Sequence, residues 1–328
     1  MILLGLGITF FVVAVLVVEF FRHRRHKFPI YGSVGFAGLI AAEWLMFRGI
    51  PPIAVFFTPI AWTCYILIAD AAVLAISGHS WLHDKPKQFA WIALLSIPLW
   101  LIFEAYNLRL QNWIYTGLPS AWWLAAFGCG WSFATITPGI FETADLIESF
   151  GWFGRGAPIR FSRASQWAMI LFGAACLLAP LVLPQDVASR LFALVWIGFV
   201  FFLDPINYAS GLPSLMGDLA EGYRARFYSL FASGFVCGWL WEFWNYWAAA
   251  KWHYVFPVLQ QWKIFEMPVP GYLGFLPFAL ECFVMYVTVA GAMRLIKPGI
   301  ACQTSLSSDD RSARLGYFDS SSRNPEES

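Results

Sequence analysis

Apolar residues run in long, nearly unbroken stretches along this chain, separated by short polar islands. Met1 to Phe21 is almost wholly apolar, long enough as a helix to cross about 30 Å of hydrocarbon. Its positive charge follows the apolar run, as Arg22-His23-Arg24-Arg25-His26-Lys27, whereas a secretory leader carries it in front. The pattern predicts an uncleaved first helix. Further apolar runs at 31–48, 52–77, 89–108, 120–146, 166–183, 189–209, 226–249 and 271–297 predict eight more. The expected fold class is all-α, a polytopic membrane helical bundle of about nine transmembrane helices.

Charge placement orients this bundle. With nine spans and the N-terminus outside, 16 of the 21 Lys and Arg residues fall on the inner side, leaving Arg48, Arg109, Arg190, Lys251 and Lys263 outside. That agrees with the excess of cations on cytoplasmic loops. It places the C-terminus in the cytoplasm, and the bacterial inner membrane is the expected location. Residues 1–298 form the expected membrane domain. Residues 299–328, rich in Ser, Asp and Arg, read as a disordered polar cytoplasmic tail.

Composition sharpens what the chain is not. It is 59% hydrophobic and 12% charged, against about a quarter charged for a soluble domain. A soluble enzyme and a nucleic-acid binder with a basic face are both excluded. The expected partner is a membrane lipid or a hydrophobic small molecule.

Self-comparison shows a repeated pattern. Glu104-Ala-Tyr-Asn107 leads to Trp113-Ile-Tyr115, and Glu242-Phe-Trp-Asn245 leads to Trp252-His-Tyr254. Each is followed by a helix carrying Pro-x-x-x-Glu, Pro138 to Glu142 and Pro277 to Glu281. A fainter copy lies upstream, where Pro59 precedes Thr63 and Glu43 sits in the preceding helix. The pattern predicts helical-hairpin repeats over 31–77, 89–148 and 226–297, running parallel about an axis near the membrane normal.

The acids carry the candidate chemistry. Glu19, Asp145 and Glu148 sit near span ends, within reach of interfacial water. Glu43, Asp70 and Asp204 lie deeper, as do Glu104, Glu142, Glu242 and Glu281, the candidate catalytic set. A carboxylate at a helix centre costs at least about 2.5–3.5 kcal/mol, so these should face the bundle interior. Glu104 and Asn107, like Glu242 and Asn245, share a helix face, so each amide can donate to its carboxyl. Pro138 and Pro277 loosen their helices one turn before Glu142 and Glu281. The cluster suits proton donation, cation binding or hydroxyl recognition, or else clamps helices together. Trp113, Tyr115, Trp252 and Tyr254 follow helix ends, where an interfacial aromatic belt is expected; alternatively their rings, with Asn107 and Asn245, line a substrate cleft.

Other chemistries find little support. His79 and His83 have helical metal-ligand spacing but lack an adjacent Glu base or a third His. Five His residues, none within a span, suit neither a His-rich di-iron site nor haem. The six Cys are scattered, and no nucleotide-binding or nucleophile-elbow motif occurs in a credible context. No metal and no cofactor are expected. The polar loop 210–226 reads as a lid or a plain connector, and 251–276 as an ordered outer loop.

The motifs Glu104, Trp113, Tyr115, Pro138, Glu142 and Glu242, Trp252, Tyr254, Pro277, Glu281 resemble the lycopene cyclase domain family, a small membrane-embedded carotenoid cyclase type. The likeness covers 89–148 and 226–297, with Pro-x-x-x-Glu in place of the family's Pro-x-Glu-Glu. It implies a cofactor-independent isomerase or cyclase acting on an isoprenoid or other lipid, in which one Glu protonates an alkene and a partner carboxylate removes a proton. A membrane transporter and a structural membrane protein are the competing classes.

Overall fold

The computed structural model describes residues 1–296; the expected tail, with Lys297, Cys302, Arg311, Arg314 and Arg323, lies outside the described residues. The chain divides into units Met1–Thr288 and Val289–Ser328. The first holds everything discussed below.

Helix α1 (Ile2–His23) is followed by α2 (Ile30–Phe47), the short α3 (Pro51–Val55) and α4 (Phe57–Ser77). Next come the single turn α5 (Trp81–Asp84), the long α6 (Pro86–Leu110) and strand β1 (Trp113–Thr116). Helices α7 (Trp122–Ala134) and α8 (Ile136–Ser149) complete this part, and α9 (Arg163–Val182), α10 (Gln185–Ala188), α11 (Phe192–Ala209) and α12 (Leu215–Ala220) follow. The last elements are α13 (Ala225–Trp247), β2 (Lys251–Tyr254), a small hairpin of β3 (Lys263–Ile264) and β4 (Met267–Pro268), a 3₁₀ turn (Val269–Gly271) and α14 (Tyr272–Ile296).

Eight segments among the described residues are long and apolar enough to cross a membrane: α1, α2, α4, α6, α7 with α8, α9, α11 and the α14 region. Helix α13 is long enough at 23 residues but is not in that set. Its four Trp, with Glu242 and Asn245, lower its hydropathy, and it is buried along most of its length. Two expected spans are each broken once. The run 52–77 divides at Phe56 into α3 and α4. The run 120–146 divides at Thr135 into α7 and α8, because Pro138 in the first turn of α8 has no N–H for the carbonyl four residues earlier. Ser96 of α6 covers this break, donating to the Phe133 carbonyl (2.5 Å) and accepting from the Thr137 N–H (3.0 Å). Non-helical backbone at this depth persists only where protein satisfies it.

The helices pack as hairpins: α2 on α4, α6 on α7 and α8, and α9 on α11. Helix α13 meets α14 at Gly234 and Gly238. Small residues let backbones approach closely, as in other membrane bundles. A Cβ on Gly234 would lie 2.1 Å from the Phe275 carbonyl oxygen, a backbone atom that cannot rotate away. The α9–α11 hairpin has no place in the three expected repeats. The loop 210–226 is a packed connector. Its α12 N-terminus donates the Leu215 and Met216 N–H groups to Asp204 (both 2.8 Å), and the Gly156 N–H donates to the Gly222 carbonyl (2.8 Å).

Gly234→Ala should therefore cost about 1–3 kcal/mol through overpacking. Gly7→Ala, where a Cβ meets nothing within 4 Å, should be silent. Thermal unfolding of the two purified variants checks this: equal midpoints would refute the close α13–α14 packing.

Candidate functional site

The two Trp-x-Tyr segments, far apart in sequence, become neighbouring strands. β1 pairs antiparallel with β2, with Trp113 opposite Tyr254 and Tyr115 opposite Trp252. Residues directly opposite each other share a face, and residues two apart along a strand do too. All four rings therefore project from one face of the ribbon. Ile114, His253, Thr116 and Lys251 form the other. There His253 bridges Glu266 (2.9 Å) and Thr116 (3.0 Å).

Each strand is fastened by the helix before it, in the same way. The Asn107 amide donates to the Trp113 carbonyl (2.9 Å), and its oxygen accepts the N–H groups of Asn112 and Trp113 (2.8 and 3.1 Å). The Asn245 amide donates to the Trp252 carbonyl (2.9 Å) and accepts the Trp252 N–H (3.0 Å). The expectation that each amide donates to its carboxyl is corrected: the backbone of the chain reversal, with its own unmet donors and acceptors, takes both ends of the amide. In the first copy the reversal runs through Gln111 in the left-handed region (φ 53°), where Gly is usual. After β1 the chain turns at Gly117 (φ 70°), where a Cβ would lie 2.1 Å from the Ala249 carbonyl oxygen.

The carboxyls take the ring donors instead. Glu104 Oε1 accepts from Tyr115 OH (2.5 Å), Trp100 Nε1 (2.8 Å) and Trp113 Nε1 (3.3 Å). Glu242 Oε1 accepts from Tyr254 OH (3.1 Å) and Trp252 Nε1 (3.4 Å). Burial pushes the phenols of Tyr115 and Tyr254 well above the ordinary tyrosine range, and the adjoining carboxyls push them further. Both therefore stay protonated donors across the neutral range.

The ribbon's aromatic face forms one wall of a cavity. Trp62, Trp100, Trp196, Trp241, Phe275 and Phe278, from α4, α6, α11, α13 and α14, line the rest of it. The cavity volume is about 120 Å³, on the order of ten times the ~10–15 Å³ that one water needs. The belt reading of Trp113, Tyr115, Trp252 and Tyr254 is thus corrected, since all four line the cavity and Trp113 is buried. Their place at helix ends suggested a belt; the strand pairing, invisible in either segment alone, turns them inward. The rest of the lining was not anticipated, although Trp100 lies one turn before Glu104 and Trp241 directly precedes Glu242.

The four Glu do not meet around this cavity. Glu104 and Glu242 sit behind its wall and reach it through Tyr115 and Tyr254. Glu142 and Glu281 are fully buried elsewhere, and neither carboxyl has a hydrogen-bond partner of good geometry. Glu142 faces the carboxyl of Asp70, which itself accepts from Tyr31 (2.5 Å), Ser80 (2.9 Å) and the Leu82 N–H (2.9 Å). Glu281 lies against the Phe199 backbone and near Tyr106.

The remaining acids have local duties. Glu19, in the last turns of α1, is buried and accepts from Arg22 (2.7 Å) and Trp152 (3.2 Å). Glu43 accepts from Trp244 (3.3 Å), tying α2 to α13. Asp145 accepts from Trp81 (2.7 Å). Arg226 at the start of α13 pairs with Asp218 (2.9 Å) and faces Glu148 and Asp145. His79 and His83 both turn onto Asp84 (3.2 and 2.7 Å). Family models, curated proteins and solved structures give no match to this chain.

Two outcomes follow. Asn245→Ala frees a backbone N–H and carbonyl at β2, at about 1–3 kcal/mol for buried groups, and should lower the thermal midpoint; an unchanged midpoint would contradict the fastening role. A phenol whose pKa is raised on folding contributes stability that is present below about pH 10 and is lost as pH rises beyond it. Tyr254→Phe should therefore leave the tyrosinate absorbance of the folded protein at about pH 11 unchanged. Loss of one tyrosine's worth of signal would show an exposed phenol.

Proposed function

We propose that this protein is a membrane enzyme that modifies an isoprenoid or similar apolar lipid by acid–base chemistry, a divergent relative of lycopene cyclase-type proteins. The observation that carries the reading is the pair of Tyr–Glu units facing one aromatic cavity. Each phenol shares a hydrogen bond with the carboxyl behind it: with that carboxyl protonated, the phenol gives its proton to the alkene and takes the carboxyl's in return, which leaves the negative charge on the carboxylate and none on the phenol. The surrounding Trp and Phe faces can stabilise a cationic intermediate. Such steps need protons but no redox cofactor. On this reading Tyr115 and Tyr254 touch substrate, Glu104 and Glu242 act through them, and Asn107 and Asn245 hold the strands.

The site lies where two halves of the chain meet, and a duplication accounts for that. Residues 30–149 and 163–296 each begin with a hairpin, α2/α4 or α9/α11. Each continues with an Asp that accepts backbone N–H groups from a short helix capped by Ser: Asp70 with Ser80, and Asp204 with Ser214. Each then carries the Glu–Asn helix, the Trp-x-Tyr strand and the Pro–Glu helix. Equivalent positions are 134 residues apart at the Asp and Ser, and 139 at Trp113/Trp252 and Glu142/Glu281. Two copies of a four-span unit, related about an axis through the ribbon, fit these positions better than three copies of a hairpin.

A second reading, an ion-coupled carrier, draws on the Asp70–Glu142 contact. Acidic side chains within spans mark ion and proton pathways, and proton-dependent uptake by proteoliposomes would favour it.

The enzyme reading predicts that deleting the gene alters a lipid species in untargeted mass spectrometry. Tyr254→Phe, still folded in the membrane, should cut its product about 10²–10⁴-fold. Unchanged lipids on deletion would overturn the reading.

A further inference from the structure

Two polar groups on the cavity wall have no partner in the protein. Thr58 Oγ1 and Trp62 Nε1 are both buried and both unbonded, and both residues line the cavity. They stand one turn apart on α4, so they share a face. Four other helical threonine hydroxyls, those of Thr9, Thr63, Thr143 and Thr288, donate back to the carbonyl four residues earlier (2.8, 2.7, 2.6 and 2.8 Å). Thr58 does not. The orientation of Trp62 is fixed by packing. Its benzo edge (Cε3, Cζ3) lies against Gly139 of α8, where a Cβ would meet it at 2.9 Å. Its N–H edge therefore faces away from α8. Trp62 is fully buried, and a buried donor left unmade costs about 1–3 kcal/mol. Orphaned donors at a cavity wall mark where a ligand acceptor sits.

We infer that the ligand of the aromatic cavity carries a neutral acceptor oxygen, a hydroxyl or carbonyl, that takes hydrogen bonds from Thr58 and Trp62. The inference rests on the cavity being the ligand site and narrows its substrate class from isoprenoid hydrocarbons to oxygenated ones. Charge on the wall selects a neutral group. The lining cation, Lys251, is committed to the Tyr246 carbonyl and lies 5.4 Å over the Tyr246 ring. Glu104 and Glu242 behind the ribbon's aromatic face would repel an anion. The polar end of the ligand then sits at α4, in the cavity that Tyr115 and Tyr254 also line. Binding at the oxygen fixes which carbons of the apolar chain reach those phenols.

The test uses the full chain in nanodiscs and two probes of equal carbon skeleton, the prenyl alcohol farnesol and the hydrocarbon farnesane. Six tryptophans line the cavity, so intrinsic fluorescence reports occupancy. Farnesol should bind at least about tenfold more tightly than farnesane, the ratio expected of one satisfied buried donor. Thr58→Val combined with Trp62→Phe should bring the two probes to equal affinity while farnesane binding is kept. Equal affinities in the unaltered protein, or a farnesol preference that survives both substitutions, overturns the oxygen inference and leaves the cavity as the site. Failure of either probe to change the fluorescence overturns the cavity itself as the ligand site, and the inference with it.

Discussion

The pairing of β1 with β2 is the constraint on which the rest of the site depends. A lone strand leaves a row of backbone N–H and C=O groups without partners, and the two Trp-x-Tyr segments meet each other's need. Each is the other's hydrogen-bonding partner. The antiparallel register then forces their four rings onto one face. The helices that deliver the strands supply the rest: Asn107 and Asn245 take the backbone at the reversal, while Glu104 and Glu242 take the phenol and indole donors. Because the first strand follows α6 and the second follows α13, the ribbon joins distant parts of the chain and closes a cavity that neither part could form.

The buried acids divide into two kinds. Glu104 and Glu242 at the ribbon each accept Tyr and Trp donors at Oε1 and so orient rings, while Glu242 Oε2 has no partner. Glu142 and Glu281 have no good donor, yet they occupy matching places after Pro138 and Pro277. Their surroundings differ, since Glu142 meets Asp70 whereas Glu281 lies by the Phe199 backbone. A clamp duplicated for stability would keep the same neighbours in both copies. The ribbon does keep them and these positions do not, so Glu142 and Glu281 are not a clamp of that kind.

Much of this was legible in the sequence, for physical reasons. Span length and charge placement mark the helices directly, so α2 and α9 appear where short apolar runs stand. The Glu-to-Asn and Trp-to-Tyr spacings identify the right residues, because local hydrogen bonding within each copy fixes them. What could not be read is whatever depends on two copies meeting. The inward turn of Trp252 and Tyr254 follows from a partner strand 139 residues away in equivalent position. The role of Trp62 follows from Gly139 on another helix, and the cover over the break at Thr135 from a serine on α6. The correspondence of Asp70 with Asp204 was also hidden. It rests on the N–H groups of the short helices that Ser80 and Ser214 cap, a contact that no spacing within either segment announces.

The aromatic cavity lined by the paired strands is read as the seat of an apolar ligand. The most direct measurement is mass spectrometry of the lipid that remains with the purified protein, compared with Cys129→Trp, which places an indole in the cavity from α7. The account predicts one apolar lipid retained at close to one per chain by the unaltered protein and lost from the folded Cys129→Trp variant. Retention of the same lipids in the same amounts by both would contradict it.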